Sequence, residues 1–218
     1  MEQLIKSGKG LAALMLLLTF TVAACSTTGM MRSEDVQSSL EKVDNDIKSS
    51  VVQVNAIGTS LDELTRPGQA DVKRAFELFS DNVSEIKKMQ NDFSKHADEM
   101  SSNIKTYLDA WDKNNNQYEN PELQQSSDER REALGRTYDE IARNNIGVKE
   151  AFRSFVSDVT QIEAYLSNDL TTKGITSITS LVDKTLRNGD RLKNELENLQ
   201  SAVENARAEM TQSGVTMN

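Results

Sequence analysis

Along most of the chain, apolar side chains recur at steps of three and four, the spacing that gathers them on one face of an α-helix. The first such run carries Val36, Leu40, Val43, Ile47, Val51, Val54, Ile57, Leu61 and Leu64. Ser33, with Glu34 and Asp35 behind it, offers a capping hydroxyl and acids for the positive end of the helix dipole. The spacing therefore predicts a helix over 33–65, ended by Pro67-Gly68. A second helix is predicted over 69–117 from Val72, Phe76, Phe79, Val83, Ile86, Met89, Phe93, Ala97, Met100, Ile104, Leu108 and Trp111. At about 1.5 Å per residue it spans roughly 65–70 Å, longer than an ordinary globular helix.

Asn120-Pro121-Glu122 is the clearest helix start: a capping amide, a proline where its missing N–H does no harm, then an acid. The third helix, predicted over 121–169, keeps its stripe through Leu134, Tyr138, Ile141, Val148, Phe152, Phe155, Val159, Ile162 and Leu166. Asn145 stands at an apolar position of that stripe. A polar residue in a seam can fix register, and Asn144-Asn145-Ile146-Gly147 reads equally as a local weakness. Thr171-Thr-Lys-Gly174 reads as the next turn, before a fourth helix over 173–210. There Ile175, Ile178, Val182, Leu192, Leu196, Leu199, Val203 and Met210 follow one seven-residue frame, with Thr185, Gly189 and Ala206 in its remaining core slots. Residues 211–218 read as a disordered tail. Four long segments joined by short turns predict an all-α fold, an elongated antiparallel four-helix bundle with coiled-coil-like packing.

The N-terminus has a different pattern. Lys6 and Lys9 precede an apolar run over 11–22, a dozen residues against the roughly 20 that span a bilayer, so residues 1–24 read as a signal peptide. Val22-Ala23-Ala24-Cys25 resembles the lipobox of bacterial lipoproteins. That resemblance implies cleavage between Ala24 and Cys25, a thioether-linked diacylglycerol on the Cys25 thiol and an acyl chain, such as palmitate, on its new amine. Several chains on one residue anchor stably where one chain does not. Cys25 is the only cysteine, so the mature chain has no internal disulfide. Ser26 rather than Asp follows it, which by the same resemblance favours sorting to the outer membrane, facing the periplasm. Residues 25–32 then read as the lipidated cysteine and a short tether.

Charge narrows the partners. The formal net charge is −9, and removing residues 1–24 with Lys6, Lys9 and Glu2 makes it −10. Nucleic-acid binding rests on basic residues that displace counterions, so nucleic acid is not expected as a partner. The arginines 130, 131, 136 and 143 alternate with Glu129, Glu132, Asp139 and Glu140, the pattern of a solvated face. Glu132 and Arg136 have helical ion-pair spacing.

Candidate chemistry is sparse. His96, the sole histidine, lies beside Phe93, Ala97 and Met100 with no metal partner at a recognisable spacing, and reads as half-buried and structural. Asp112, Asn114 and Asn116 imitate the start of a calcium loop, but Gln117 stands where glycine would make the turn and Leu123 where a glutamate would close the shell. Trp111, with Tyr107 and Tyr118, is a candidate interaction patch near one end of the bundle; the frame puts Trp111 against the core and Tyr118 in solvent. No catalytic residue, metal, cofactor or small-molecule substrate is expected, and the chain does not read as an enzyme.

The segment Asn120-Pro-Glu-Leu-Gln-Gln-Ser-Ser-Asp-Glu-Arg-Arg131, with Phe155-Val-Ser-Asp-Val-Thr-Gln-Ile-Glu-Ala-Tyr-Leu-Ser-Asn-Asp-Leu-Thr171, is similar to a family of predicted bacterial lipoproteins, domain of unknown function 2959. The similarity is sharpest over 111–181, and the N-terminal third departs from it. The resemblance implies a helical, coiled-coil-like exported protein and brings no catalytic residues.

These features together predict a periplasmic lipoprotein of the cell envelope, non-enzymatic, with a structural or protein-binding role. Its partners are the bilayer through acylated Cys25 and an unidentified envelope protein, with homo-oligomerisation left open. The alternative is a sensory or signalling adaptor resembling chemoreceptor coiled coils, with Gly147 and Gly189 as yielding points. A membrane-active helical toxin stands third, because residues 25–218 offer no long apolar run.

Overall fold

The computed structural model describes residues 29–114 and 118–212. They form an all-helical bundle of five helices: α1 (Gly29–Thr65), α2 (Val72–Asn114), α3 (Pro121–Asn168), α4 (Thr172–Ser177) and α5 (Thr179–Gln212). Among the described residues there is no strand, and no helix is long and apolar enough to cross a membrane.

Each long helix packs against two others, α1 on α2 and α5, and α3 on α2 and α5, which closes a ring around one core. The apolar stripes fill that core. Leu40, Ile47, Ile57 and Leu61 of α1, Phe79, Phe93 and Met100 of α2, Phe152 and Phe155 of α3, and Leu192, Leu196 and Leu199 of α5 are all but sealed from solvent. Phe93 and Phe152 meet at 5.5 Å between ring centres, joining α2 to α3. Cross-helix bonds pair positions in opposite sequence order. Lys42 meets Glu99 and Gln53 meets Asn82 between α1 and α2. Lys149 meets Asp98 and Lys87 meets Glu163 between α2 and α3. Asp158 receives Lys184 and Asn188 of α5, and Asp44 of α1 receives Arg207 of α5.

The helix ends explain themselves locally, and several differ from the sequence expectation. Helix α1 begins at Gly29, not Ser33, so the last four residues of the expected 25–32 tether are helical. Met30, Met31 and Arg32 form helix readily, and the Ser33 hydroxyl donates back to the Met30 carbonyl at 2.8 Å instead of capping. Gly68 turns the chain after α1 with φ +75°, a left-handed angle that glycine adopts without steric cost. Helix α2 begins at Val72 rather than 69, because Asp71 caps it by accepting the Arg74 N–H at 3.0 Å. Asn120 caps α3 as expected: its side chain accepts the Glu122 N–H at 2.9 Å, and Pro121 holds the first turn.

The expected turn at 171–174 and the single fourth helix are both corrected. The chain reverses over 169–171, and Thr171 instead caps α4 by accepting the Gly174 N–H at 3.1 Å. Gly174 packs so tightly there that a Cβ would sit 2.3 Å from the Asp169 carbonyl oxygen. The helix then breaks at Ile178. Thr176, Ser177 and Thr179 donate their hydroxyls to the carbonyls of Thr172, Gly174 and Thr176, so a dense run of side-chain hydroxyls competes with the helical ladder on both sides of the break. Helix α5 runs on to Gln212, past the expected end at 210; the rest of the expected tail, 213–218, lies outside the described residues.

Candidate functional site

Four helix ends meet where α1 starts, α2 finishes, α3 starts and α5 finishes, and the candidate aromatic patch lies there. Trp111 is half-buried against the core. Its ring stands edge-on to Tyr107, with centres 5.8 Å apart and planes at 88°, and its indole N–H donates to Ser127 Oγ at 2.9 Å. That geometry satisfies the tryptophan's polar edge while its face covers the end of the core. Tyr118 is 46% exposed, as expected from the frame.

Beneath this layer Tyr138 is buried and its hydroxyl has no hydrogen-bond partner among the described residues. Burial, with Tyr107 close by, pushes the Tyr138 phenol well above the ordinary tyrosine range. Burial also raises Tyr107, against the pull of Arg130 and Arg32. A hollow of about 330 Å³ opens above these rings, lined by Gly29, Arg32, Tyr107, Trp111, Asn114 and Tyr118. A second, of about 520 Å³, shares Gly29, Tyr107 and Trp111 and extends toward Met30, Arg130 and Met210. Both are open surface depressions bordered by apolar, aromatic and guanidinium groups.

The would-be calcium loop is otherwise engaged. Asp112 holds Arg131 in a two-pronged pair, Nε to Oδ1 at 2.8 Å and the terminal nitrogen to Oδ2 at 2.9 Å, which keeps its carboxyl below the usual aspartate range. Asn114 donates to the Ala110 carbonyl at 2.9 Å, within its own helix. Asn116 and Gln117 lie outside the described residues, and Leu123 is exposed. Among the described residues no group of three or more His, Cys, Asp or Glu side chains converges as a metal site.

His96 is half-buried and has a partner that the sequence reading missed: Asp46 of α1, with Nδ1 2.7 Å from Oδ2. Burial raises the Asp46 carboxyl above the usual aspartate range, with Asp92 adding to the rise; the hydrogen bond and charge of His96 oppose it. Counting outward from the Pro67-Gly68 turn along two opposed helices sets 46 opposite Met89, so the pairing with His96 depends on an inter-helix register that the spacing of one helix does not carry. Beside this pair, Lys42 holds Glu99 below the usual glutamate range across the same interface.

Asn145 is buried in the seam and its side-chain carbonyl has no hydrogen-bond partner among the described residues. Helix α3 runs unbroken through it. Gly189 is buried, and a Cβ there would lie 3.1 Å from the Phe155 ring and 3.2 Å from Val54, so α5 closes on α1 and α3 at this point. At Gly147 the nearest atoms to an added Cβ are those of the Glu195 carboxylate. The ion pair between Glu132 and Arg136 forms at 2.6 Å, and Arg130 reaches Glu209 of α5. Cys25 and Ala24, the expected lipidation and cleavage residues, lie outside the described residues.

Comparison with protein-family models, with curated proteins and with solved structures finds no match for this chain.

Proposed function

We propose that the protein is a lipoprotein of the bacterial cell envelope, held to the periplasmic side of the outer membrane by acyl chains on Cys25, and that its helical bundle has a structural or protein-binding role without catalysis. The observation that carries this reading is the order of parts at the N-terminus. A charged and apolar leader and the sequence Val22-Ala23-Ala24-Cys25 are followed, four residues after the cysteine, by the first residue of a long helix. A chain segment that short reaches at most about 14 Å, so an anchor on Cys25 keeps the bundle against its membrane.

The four long helices are read as an elongated antiparallel four-helix bundle with coiled-coil packing. The ring of neighbours, the reversed order of cross-helix partners and the stripes at threes and fours support that reading. Helix α3 alone, at 48 residues, is about 72 Å long. A rod of that length on a lipid anchor can reach from the membrane to other envelope components. Membership of the domain of unknown function 2959 family is part of the same proposal and rests on the segments over 120–131 and 155–171. Crosslinking in cells, with photoreactive groups at exposed positions along the helices such as Val52, Leu78 and Tyr165, tests the binding role. Recovery of discrete adducts with envelope proteins is expected, and uncrosslinked protein alone at every probed position contradicts the role.

A further inference from the structure

The exposed large apolar side chains are unevenly placed. Val52, Leu78, Ile146 and Tyr165 are scattered singly along the helices, as is ordinary on a protein surface. Met30, Met31, Tyr118 and Leu123 instead share one end of the bundle, where α1 and α3 begin and α2 finishes. Met30 is 72% exposed, Leu123 56% and Met31 51%. Trp111 and Tyr107 lie just behind them, lining hollows that also take in Gly29, Met30 and Tyr118.

We propose that this end of the bundle docks on the bilayer itself, with Met30, Met31 and Leu123 entering the interface and Tyr118 and Trp111 at headgroup level. The inference rests on the reading of Cys25 as the lipid anchor. Two observations select a lipid surface as the occupant. The four-residue step from Cys25 to Gly29 holds this end, and no other, within about 14 Å of the acyl chains. The composition also fits: flexible apolar side chains at the tip, with amphipathic tryptophan and tyrosine rings set behind them, is the arrangement that suits the boundary between acyl chains and water. Charge at this end is mixed, with Arg32 and Arg130 lining the hollows and Glu34, Asp35, Glu119 and Glu122 close to the tip along the chain, so the apolar side chains supply the attraction. The bundle therefore stands on its membrane by its aromatic end, and the far end, where α1 turns into α2 and α3 into α4, points away.

Trp111 is the only tryptophan, which makes it a built-in probe. The test uses the full lipidated protein, purified from membranes and reconstituted into phosphatidylcholine vesicles with or without lipids brominated near the headgroup. Loss of Trp111 emission in the brominated vesicles is expected, unchanged by high salt. In a Trp111→Phe background, Tyr165→Trp at the far end should keep its emission. Met30→Ser, Met31→Ser and Leu123→Ser together change only exposed positions and should restore Trp111 emission while the anchor still holds the protein on the vesicles. Unquenched Trp111 in a preparation shown by mass to be acylated overturns the docking and leaves the anchor standing; a face reserved for a second copy of this chain or for a protein partner gives this result. Equal quenching at both ends overturns it in favour of a bundle lying flat. A mass showing an unmodified Cys25 overturns anchor and docking together.

Discussion

Gly147 and Gly189 look alike in the sequence, each a helix-weakening residue inside a long helix, and their surroundings separate them. A methyl at Gly147 meets the tip of the Glu195 side chain, which can swing aside into water. Gly147→Ala should therefore raise stability by about 0.5–1 kcal/mol, the usual gain in helix propensity, in chemical denaturation. Gly189 faces the Phe155 ring and Val54 in a closed seam. Gly189→Leu should lose about 1–3 kcal/mol or more by overpacking, and an unchanged midpoint would contradict the close approach. Asp46 gives a pH-dependent outcome. Its carboxyl titrates higher in the folded chain than in the unfolded one, so just above the ordinary aspartate pKa the folded state holds a proton that the unfolded state has released. Its contribution to stability is greatest below that range and declines as pH rises through the folded value. Asp46→Asn should remove this part of the slope relative to the unsubstituted protein in denaturation series across mildly acidic pH, and parallel profiles would contradict it. The apolar stripe was legible at this scale because three-and-four spacing is a property of one helix. The Asp46–His96 pair was not, because it depends on the register between two. Buried Ser39 and Ser60 escaped notice for another reason: each hydroxyl donates to a carbonyl three residues back, at 2.8 and 2.9 Å, and so needs no cross-helix partner.

Among the elements, α3 has the clearest boundary, and its cap is the best place to test local control. Asn120→Ala removes the acceptor for the Glu122 N–H and should cost about 0.5–2 kcal/mol in thermal or chemical unfolding; no loss would mean that the cap is redundant. Asn120, Pro121 and Gly68 announced their turns because each residue suits one backbone role. The start of α1 and the break at Ile178 were illegible for the opposite reason. Met30 to Arg32 carry no cap signature, and the hydroxyls of Thr176, Ser177 and Thr179 act on backbone carbonyls, leaving the apolar frame of Ile175, Ile178 and Val182 intact through the break. Asn145 sits in the seam as the pattern placed it, and α3 stays helical through it.

For the whole molecule, the hydrophobic pattern specified an all-helical bundle, and burial of the stripes in one shared core accounts for it. The aromatic end was only half legible. Trp111 and Tyr118 stood out by residue type, but the convergence of Met30, Met31 and Leu123 beside them depends on which helix ends meet. Met30 and Met31 follow Cys25 by only five and six residues along the chain, which links this end of the fold to the proposed function by giving the rod a foot near the place where an anchor would hold it. The most direct test is mass spectrometry of the intact protein from membranes, with sequencing of its N-terminal peptide. The expected result is a chain beginning at Cys25, its sulfur carrying diacylglycerol and its amine an acyl chain. A chain that retains residues 1–24, or begins at Cys25 with a free thiol, would contradict the account.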